Sequence, residues 1–171
     1  SLGAMVCRIA NCSFHGNNAW ESTGSAIQLS GGSAVIEDCS VSGNSAEEGG
    51  AISCVEVRLQ LMSVQLHGNI AYDWRGALDC DHSSVTCVGC TINNNVTNGI
   101  CGGIFVNEGV LELDRCTVAG NDATEGGGIY LTGRSLASAR RTVIWGNCGA
   151  QGSQVSIYVA SAAILEDCAI G

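Results

Sequence analysis

The sequence predicts an all-β fold, a right-handed parallel β-helix in which residues 1–171 form one solenoid segment of about six and a half coils. A fixed period of about 20 to 50 residues is typical of proteins that stack one structural unit on copies of itself. Each period in this chain also contains three short stretches of alternating apolar and polar residues. The period is read from an asparagine that recurs at intervals of 27, 25, 26, 26 and 26 residues: Asn17, Asn44, Asn69, Asn95, Asn121 and Asn147.

Three strands are predicted in each coil, because alternation with a period of two is the signature of a strand. The first stretch places apolar residues ten and eight positions before the asparagine, as Leu59 and Leu61 do. The second places them five and three positions before it, as Cys39 and Val41 do. The third stretch begins eight to ten residues after the asparagine. No window shows helical spacing of apolar residues, so a triangular coil is expected, with successive coils about 4.8 Å apart.

The recurring asparagines are expected to form a ladder. Equivalent residues lie above one another in a stack, and a side-chain amide both donates and accepts hydrogen bonds. The plainer alternative is a turn asparagine that tolerates positive φ. After each asparagine come small residues, such as Gly49–Gly50 and Gly102–Gly103. These small residues are expected to let the backbone bend into the third strand.

The chain contains 11 cysteines, and many of them occupy equivalent positions in successive repeats. Disulfides between neighbouring coils are one alternative, although in-register strands would strain their geometry. Thiols acting as small buried apolar groups are the other. Zinc is the weakest reading, because Cys87 and Cys90 lack a second close pair, and no metal or cofactor is expected. The cysteines predicted to stack in the interior are Cys12, Cys39, Cys90, Cys116, Cys168, Cys54 and Cys80.

Two short motifs carry a resemblance. Phe14-His15-Gly16-Asn17, together with Gly49-Gly50-Ala51-Ile52, resembles the FxxN and GGAI signatures of the chlamydial polymorphic outer-membrane protein repeat. That repeat is a branch of the right-handed parallel β-helix, or pectin-lyase-like, superfamily. A cysteine two residues before the apolar residue of the first motif, such as Cys12, fits the same pattern. The resemblance implies a secreted, extracellular or cell-surface segment of a larger protein, often an adhesin.

The composition and charge of the chain argue against two classes of protein, those that bind nucleic acid and those that span a membrane with a helix. A net charge of −9 and scattered arginines argue against binding nucleic acid through its phosphates. The absence of a run of 18 apolar residues argues against a membrane-spanning helix. Neither end of the chain shows a polar cap, so further coils or another subunit are expected to stack on the open ends.

Catalysis is not expected. Polysaccharide-cleaving β-helices need two or three carboxylates, or carboxylates with calcium, facing one cleft. The outward position of the third strand offers a single carboxylate in the series Gln28, Ser53, Asp79, Phe105, Tyr130 and Ser156. The local group Asp79-Cys80-Asp81-His82 is read as a solvated or internally satisfied turn cluster. The predicted function is therefore a non-catalytic structural or adhesive shaft.

The alternative is a carbohydrate-binding or inactive polysaccharide-cleaving β-helix, with glycans or cell-surface components as partners. Phe105 and Tyr130 fall on adjacent coils and are expected to be exposed, which would make them a platform for stacking on sugars. The other aromatic candidates are Trp20, Trp74 and Trp145.

Two glycosylation sequons occur, Asn11-Cys12-Ser13 and Asn95-Val96-Thr97. Asn95 belongs to the predicted ladder and is expected to be buried, whereas Asn11 lies at a turn and is the candidate acceptor in a eukaryotic source. A ridge of carboxylates follows the asparagines and is expected to aid solubility rather than to bind calcium. Its members are Glu21, Glu47, Glu48, Asp73, Asp122 and Glu125.

Overall fold

The computed structural model describes residues 6–19 and 26–171. These residues form 24 strands joined by turns. Within the same ranges, no helix is long and apolar enough to cross a membrane. Each strand pairs in parallel with the equivalent strand of a neighbouring coil, so the predicted β-solenoid is confirmed. A right-handed winding is the hand that parallel crossover connections favour.

The strands follow one another through six coils and the start of a seventh. In chain order they are β1 (Val6–Ala10), β2 (Ser13–His15), β3 (Asn18–Ala19), β4 (Ile27–Ser30), β5 (Ser33–Glu37), β6 (Ser40–Ser42), β7 (Ser45–Ala46), β8 (Ile52–Val55), β9 (Arg58–Met62), β10 (Gln65–His67), β11 (Ile70–Ala71), β12 (Leu78–Asp81), β13 (Ser84–Val88), β14 (Thr91–Asn93), β15 (Val96–Thr97), β16 (Ile104–Asn107), β17 (Val110–Asp114), β18 (Thr117–Ala119), β19 (Ile129–Thr132), β20 (Leu136–Arg140), β21 (Val143–Trp145), β22 (Val155–Ile157), β23 (Ala162–Glu166) and β24 (Ala169–Ile170).

Four sheets run along the solenoid. The first sheet has the order β1-β5-β9-β13-β17-β20-β23, and the second has the order β2-β6-β10-β14-β18-β21-β24. The third sheet joins β3, β7, β11 and β15, and the fourth joins β4, β8, β12, β16, β19 and β22. The sequence predicted the first, second and fourth sheets. It missed the third because its two-residue strands are too short to show alternation.

Pairing is in register from coil to coil. In the first sheet Leu59 pairs with Ala34 on one side and Val85 on the other, and Val85 pairs in turn with Leu111. A shift by one residue would turn the buried side chains outward, so the unbroken register produces a continuous apolar interior. Its largest fully buried side chains are Ile36, Ile52, Leu59, Leu61, Leu66, Leu78, Ile92, Ile104, Leu111, Leu131, Ile144 and Val41.

The six asparagines form the predicted ladder. The Nδ2 group of each donates to the Oδ1 atom of the next, at 2.8 Å from Asn17 to Asn44 and at 2.9 Å from Asn69 to Asn95. Beyond Asn147, the Oε1 atom of Gln154 accepts the same bond at 2.8 Å. The six side chains lie in single file, and Asn95 is fully buried, as predicted.

Every internal amide of the ladder is fully bonded. The Oδ1 atom of Asn95 accepts two hydrogen bonds from Asn69, one from its Nδ2 group at 2.9 Å and one from its backbone N–H at 3.0 Å. The Nδ2 group of Asn95 donates to Asn121 Oδ1 at 2.9 Å and to the carbonyl of Leu66 at 3.0 Å. Because all four positions are used, the amide can be buried without an unsatisfied group.

Three bends recur in the coils, each with positive φ at one or two residues. The first bend joins the first and second sheets, as at Asp38 (φ 50°), and the third joins the fourth and first sheets, as at His82 (φ 47°). The second bend directly precedes the ladder asparagine, as at Gly43 (φ 59°). Glycine adopts this conformation without strain, which explains its place before five of the six asparagines. Asn94 (φ 53°) takes that place in the fourth coil, since asparagine tolerates it.

Among the glycines that follow the asparagines, Gly49 has positive φ (90°), as expected, but others are glycine for a different physical reason. Gly76 is not in the left-handed region, but a Cβ atom added to it would collide with the backbone of Gly102 and Cys101 in the next coil. The expectation that these small residues serve to bend the chain is therefore wrong at Gly76. A close approach between stacked turns excludes larger side chains there.

We expect Asn95→Leu to lower the free energy of unfolding by about 3–5 kcal/mol, because it removes the acceptor for two buried donors of Asn69 and one hydrogen bond to the Leu66 carbonyl. Urea denaturation followed by far-UV circular dichroism measures this loss. The control is Asn98→Ala, at an exposed asparagine, which is expected to change stability by less than about 0.5 kcal/mol. Equal effects of the two substitutions would contradict a structural ladder.

Gly76→Ala tests the close approach of the turns. We expect it to cost more than about 3 kcal/mol, since the colliding atoms belong to the backbone and cannot rotate away. Gly68→Ala is the matched comparison, because Gly68 has positive φ but no atom within 4 Å of the added Cβ. It should cost only the backbone strain of about 1–2 kcal/mol. The prediction fails if thermal denaturation ranks the two variants in the opposite order.

Candidate functional site

The outward face of the fourth sheet is covered. The middle residues of its strands are buried from the second coil onwards, with Phe105 only 3% and Tyr130 only 9% exposed. Cys101, which lies in the turn before β16, packs against both rings in a small second core. The sequence-based expectation that Phe105 and Tyr130 are exposed for stacking on sugars is therefore wrong. The turns that follow the asparagines fold back over the sheet and bridge one to the next, as from Arg75 to Cys101 and from Cys101 to Gly126.

Under these turns the aromatic rings form a row along the solenoid. The centroids of Phe105 and Tyr130 lie 5.6 Å apart with an interplanar angle of 17°. Tyr130 and Tyr158 follow at 4.9 Å and 20°. At the other end, the guanidinium carbon of Arg75 lies 4.1 Å from the centroid of the Phe105 ring. Stacked rings and a cation over a ring face are both favourable contacts, so the row anchors Arg75.

Arg75 also forms an ion pair with Asp79 on this face. Its Nη1 group donates to Asp79 Oδ1 at 3.0 Å, and Ser53 Oγ donates to Asp79 Oδ2 at 3.3 Å. Burial raises the pKa of Asp79, and the charge of Arg75 opposes that rise. Asp79 is thus internally paired, which agrees with one of the two readings of its turn cluster.

The rest of that cluster is divided between the faces of the strand. Cys80 points into the core and is fully buried, whereas His82 contacts Asp81 at 3.0 Å and Glu108 at 3.2 Å near the surface. Among the described residues, no group of three or more histidine, cysteine, aspartate or glutamate side chains is placed to hold a metal ion.

A pocket of about 240 Å³ opens beside the buried ion pair. Glu48, Gly49, Trp74, Arg75 and Asp79 line it, so it lies between the turns of the second and third coils. Trp74 is 49% exposed, and the Nε group of Arg75 is buried without a hydrogen-bond partner. The sequence did not predict this pocket, because the pocket depends on two turns meeting across neighbouring coils. The adjacent Trp74 and Arg75 were the only local signal.

The predicted interior cysteines are mostly in place. Cys39, Cys54, Cys80, Cys90 and Cys116 are buried, and all 11 thiols of the chain are free. The prediction is wrong for Cys12, which is exposed, and for Cys168, which is only partly buried. Both belong to the outermost coils, where a neighbouring coil packs on one side only.

The cysteines before the second sheet also have a hydrogen-bonding role that the sequence did not reveal. Each thiol donates to the carbonyl two residues earlier, at 3.1 Å from Cys39 to Glu37 and at 3.4 Å from Cys116 to Asp114. Thr142 occupies the same position in the sixth coil, and its hydroxyl accepts the backbone N–H of Cys116 at 3.3 Å. The column therefore satisfies backbone groups at the first bend while filling the interior.

Burial makes the interior thiols poor nucleophiles. Burial raises the pKa of the Cys101 thiol to about 12. A hydrogen bond with Cys90, together with burial, raises the pKa of Cys116 as well. Since the thiolate is the reactive form of cysteine, these side chains are inert at neutral pH.

Those remaining predicted positions that the structure describes lie at or near the surface. Asn11 is exposed and has φ 55° at the turn between β1 and β2, and its glycosylation stays a prediction. In the acidic ridge Glu48, Asp73 and Asp122 are exposed, and Glu47 and Glu125 are half-buried. Trp145 is 59% exposed on the second sheet. Trp20 and Glu21 lie outside the described residues.

These features define the protein as a parallel β-solenoid with an internal asparagine ladder and a second, turn-covered layer over one sheet. Residues 38–55 match the family profile described as the Chlamydia polymorphic membrane protein repeat. The matched segment runs from Asp38 through Asn44 to the Gly49–Ile52 motif, so the resemblance predicted from the sequence is confirmed at this repeat. A search of curated proteins and a search of solved structures each found no match.

The pH dependence of stability tests the buried thiols. The folded protein keeps the Cys101 proton up to about pH 12, whereas the unfolded chain loses it near its ordinary pKa of 9.0. The unfolded state then binds fewer protons, so this contribution is complete below pH 9 and is lost as the pH rises toward 12. We expect Cys101→Ala to flatten the plot of unfolding free energy against pH by about 1.4 kcal/mol per unit in that window.

Urea titrations under reducing conditions measure the slope. Cys7→Ala, at an exposed thiol, should leave it unchanged, and equal slopes in all three proteins would refute the assignment.

Proposed function

We propose that this chain is a segment of an extracellular, surface-exposed β-helix that acts as a non-catalytic structural or adhesive shaft. The observation that carries the proposal is the unbroken register of the stack, in which one column of amides and one apolar interior continue from coil to coil. The match to a surface-protein repeat at residues 38–55 supports the location.

The geometry suits a load-bearing element. Neighbouring coils are joined by backbone hydrogen bonds in four sheets, with side-chain bonds along the ladder. Six coils at about 4.8 Å each give a rod of roughly 30 Å. Unfolding one internal coil would break these bonds on both of its faces at once. A shaft that holds a more distant module away from a surface needs this kind of resistance.

The outward sides of the second and fourth sheets support a non-catalytic role. Glycoside hydrolysis uses two carboxyl groups that flank the scissile bond, about 5–9.5 Å apart. On the fourth sheet the buried carboxylate is Asp79, which is already paired with Arg75. Along the outward side of the second sheet, the residues that begin its strands are Ser13, Ser40, Gln65, Thr91, Thr117, Val143 and Ala169, and none is acidic.

Single-molecule force spectroscopy along the solenoid axis tests the shaft. We expect the chain to resist and then to lengthen in steps of about 90 Å, because one coil of about 26 residues releases that length when extended. Asn95→Leu should lower the force of the first steps, and Asn98→Ala should not. Extension without a resisted step would contradict a mechanical role.

Two further measurements address location and chemistry. Antibodies against the chain should label intact cells of the source organism as strongly as permeabilised cells. Incubation of the purified chain with polysaccharides, including pectins, should release no new reducing or unsaturated ends. Labelling confined to permeabilised cells would overturn the surface location, and turnover abolished by Asp79→Asn would overturn the non-catalytic assignment.

A further inference from the structure

The pocket lined by Glu48, Gly49, Trp74, Arg75 and Asp79 has no part in a shaft, and its walls are held in place. The Asp73 N–H donates to the Glu47 carbonyl at 2.9 Å, which ties the turns of the second and third coils together. Behind the pocket, Arg75 is fixed by Asp79 and by the Phe105 ring. A site whose side chains are already ordered loses little conformational entropy when a ligand binds.

One wall of the pocket is aromatic and open. Trp74 is 49% exposed although it is a large apolar side chain, and the guanidinium carbon of Arg75 lies 6.0 Å from its ring. An exposed indole next to polar groups offers a flat apolar face with hydrogen-bonding partners at its edge. A sugar ring has the complementary form, with C–H groups on one face and hydroxyls around its rim.

The polar wall is formed by Arg75 and by carboxylates. Arg75 donates from Nη1 to Asp79, and its side chain is 22% exposed where it lines the pocket. Its guanidinium can donate to an oxygen atom of a ligand. The carboxylate of Glu48, which is exposed, can accept hydrogen bonds from the same ligand. The pocket therefore suits a ligand whose groups both accept and donate hydrogen bonds, as hydroxyls do.

The charges and the volume of the pocket restrict the chemical class of its ligand further. Two carboxylates face one guanidinium, and the whole chain carries a net charge of −9, so phosphate and carboxylate ligands are disfavoured. An ammonium ligand would meet the positive charge of Arg75. The volume of 240 Å³ lies below the roughly 300–1,000 Å³ of pockets that enclose drug-sized ligands, which suits a single ring.

We infer that this pocket binds one neutral saccharide ring, with its apolar face on Trp74 and its hydroxyls on Arg75 and Glu48. This goes beyond the proposed shaft, because it gives the third coil a recognition site. It also differs from the platform expected at Phe105 and Tyr130, since those rings are covered and support Arg75 from below.

Tryptophan fluorescence provides the test. The chain has three tryptophans, and the double variant Trp20→Phe/Trp145→Phe leaves Trp74 as the reporter. We expect D-glucose, D-galactose or N-acetyl-D-glucosamine to change its emission saturably, with a dissociation constant on the order of millimolar, as is typical of a small ligand in a shallow site. D-glucuronate and tetramethylammonium are the anionic and cationic comparisons and should bind at least about 10-fold more weakly.

Variants of the otherwise unmodified chain assign the site, with binding measured by ligand-observed NMR. Trp74→Ala should abolish binding, and Glu48→Gln should weaken it about 5-fold to 10-fold. Arg75→Lys keeps a cation beside Asp79 but removes the planar guanidinium with its several donors, so it should weaken binding without unfolding the chain. Trp145→Ala removes an exposed tryptophan on another sheet and should have no effect.

The inference is overturned if no neutral sugar gives a saturable response, or if Trp74→Ala binds as the parent does. Tighter binding of D-glucuronate or tetramethylammonium would also overturn it, in favour of a charged ligand. Trp74→Ala should leave the force steps of the shaft unchanged, so failure of the sugar site and failure of the shaft are separate results.

Discussion

The hydrogen bond from one asparagine amide to the next is the interaction on which the rest of the structure depends. An amide in the middle of the ladder, such as Asn95, bonds to the coils before and after it and to the carbonyl of Leu66. These bonds are satisfied in one register only, because a slip by one residue would replace the buried amide with a side chain that lacks this pattern of donors and acceptors. Once the register is set, the apolar residues of successive coils lie directly above one another.

Side chains of other residue types form hydrogen bonds with backbone groups at the other two bends. At the first bend, cysteine or threonine bonds to backbone groups, as Thr142 does with the Arg140 carbonyl at 2.9 Å. At the third bend, Ser83 accepts the Val57 N–H at 3.0 Å and donates to the Asp81 carbonyl at 2.8 Å. A small side chain that both donates and accepts satisfies backbone groups at these bends, although Val64 and Val57 take the equivalent positions in two places. The cysteines at the first bend thus have a local structural role.

Much of the fold was predictable because its signals are local. The alternation around residues such as Leu59 and Leu61 is visible within one repeat, and the recurrence of Asn44 and Asn69 is visible when one repeat is compared with the next. The two-residue strand Ile70–Ala71 was missed, since alternation cannot be read from so few residues. Cys12 was placed inside because its repeat position is interior, but its coil has a neighbour on one side only. The position of a residue within its repeat predicts whether the side chain points inward, whereas its burial also requires a neighbouring coil on each side.

What the sequence determined by itself is the period, the strands that alternate and the side chains that point inward, because each of these follows from spacing along the chain. The tertiary structure alone decided which outward faces are covered. The turns after the asparagines differ in length and composition, and their path depends on contacts between coils, such as that of Cys101 with Phe105 and Tyr130. The pocket at Trp74 and Arg75 arises in the same way. Its walls come from turns about 26 residues apart in sequence, and only the stacking of the coils brings them together.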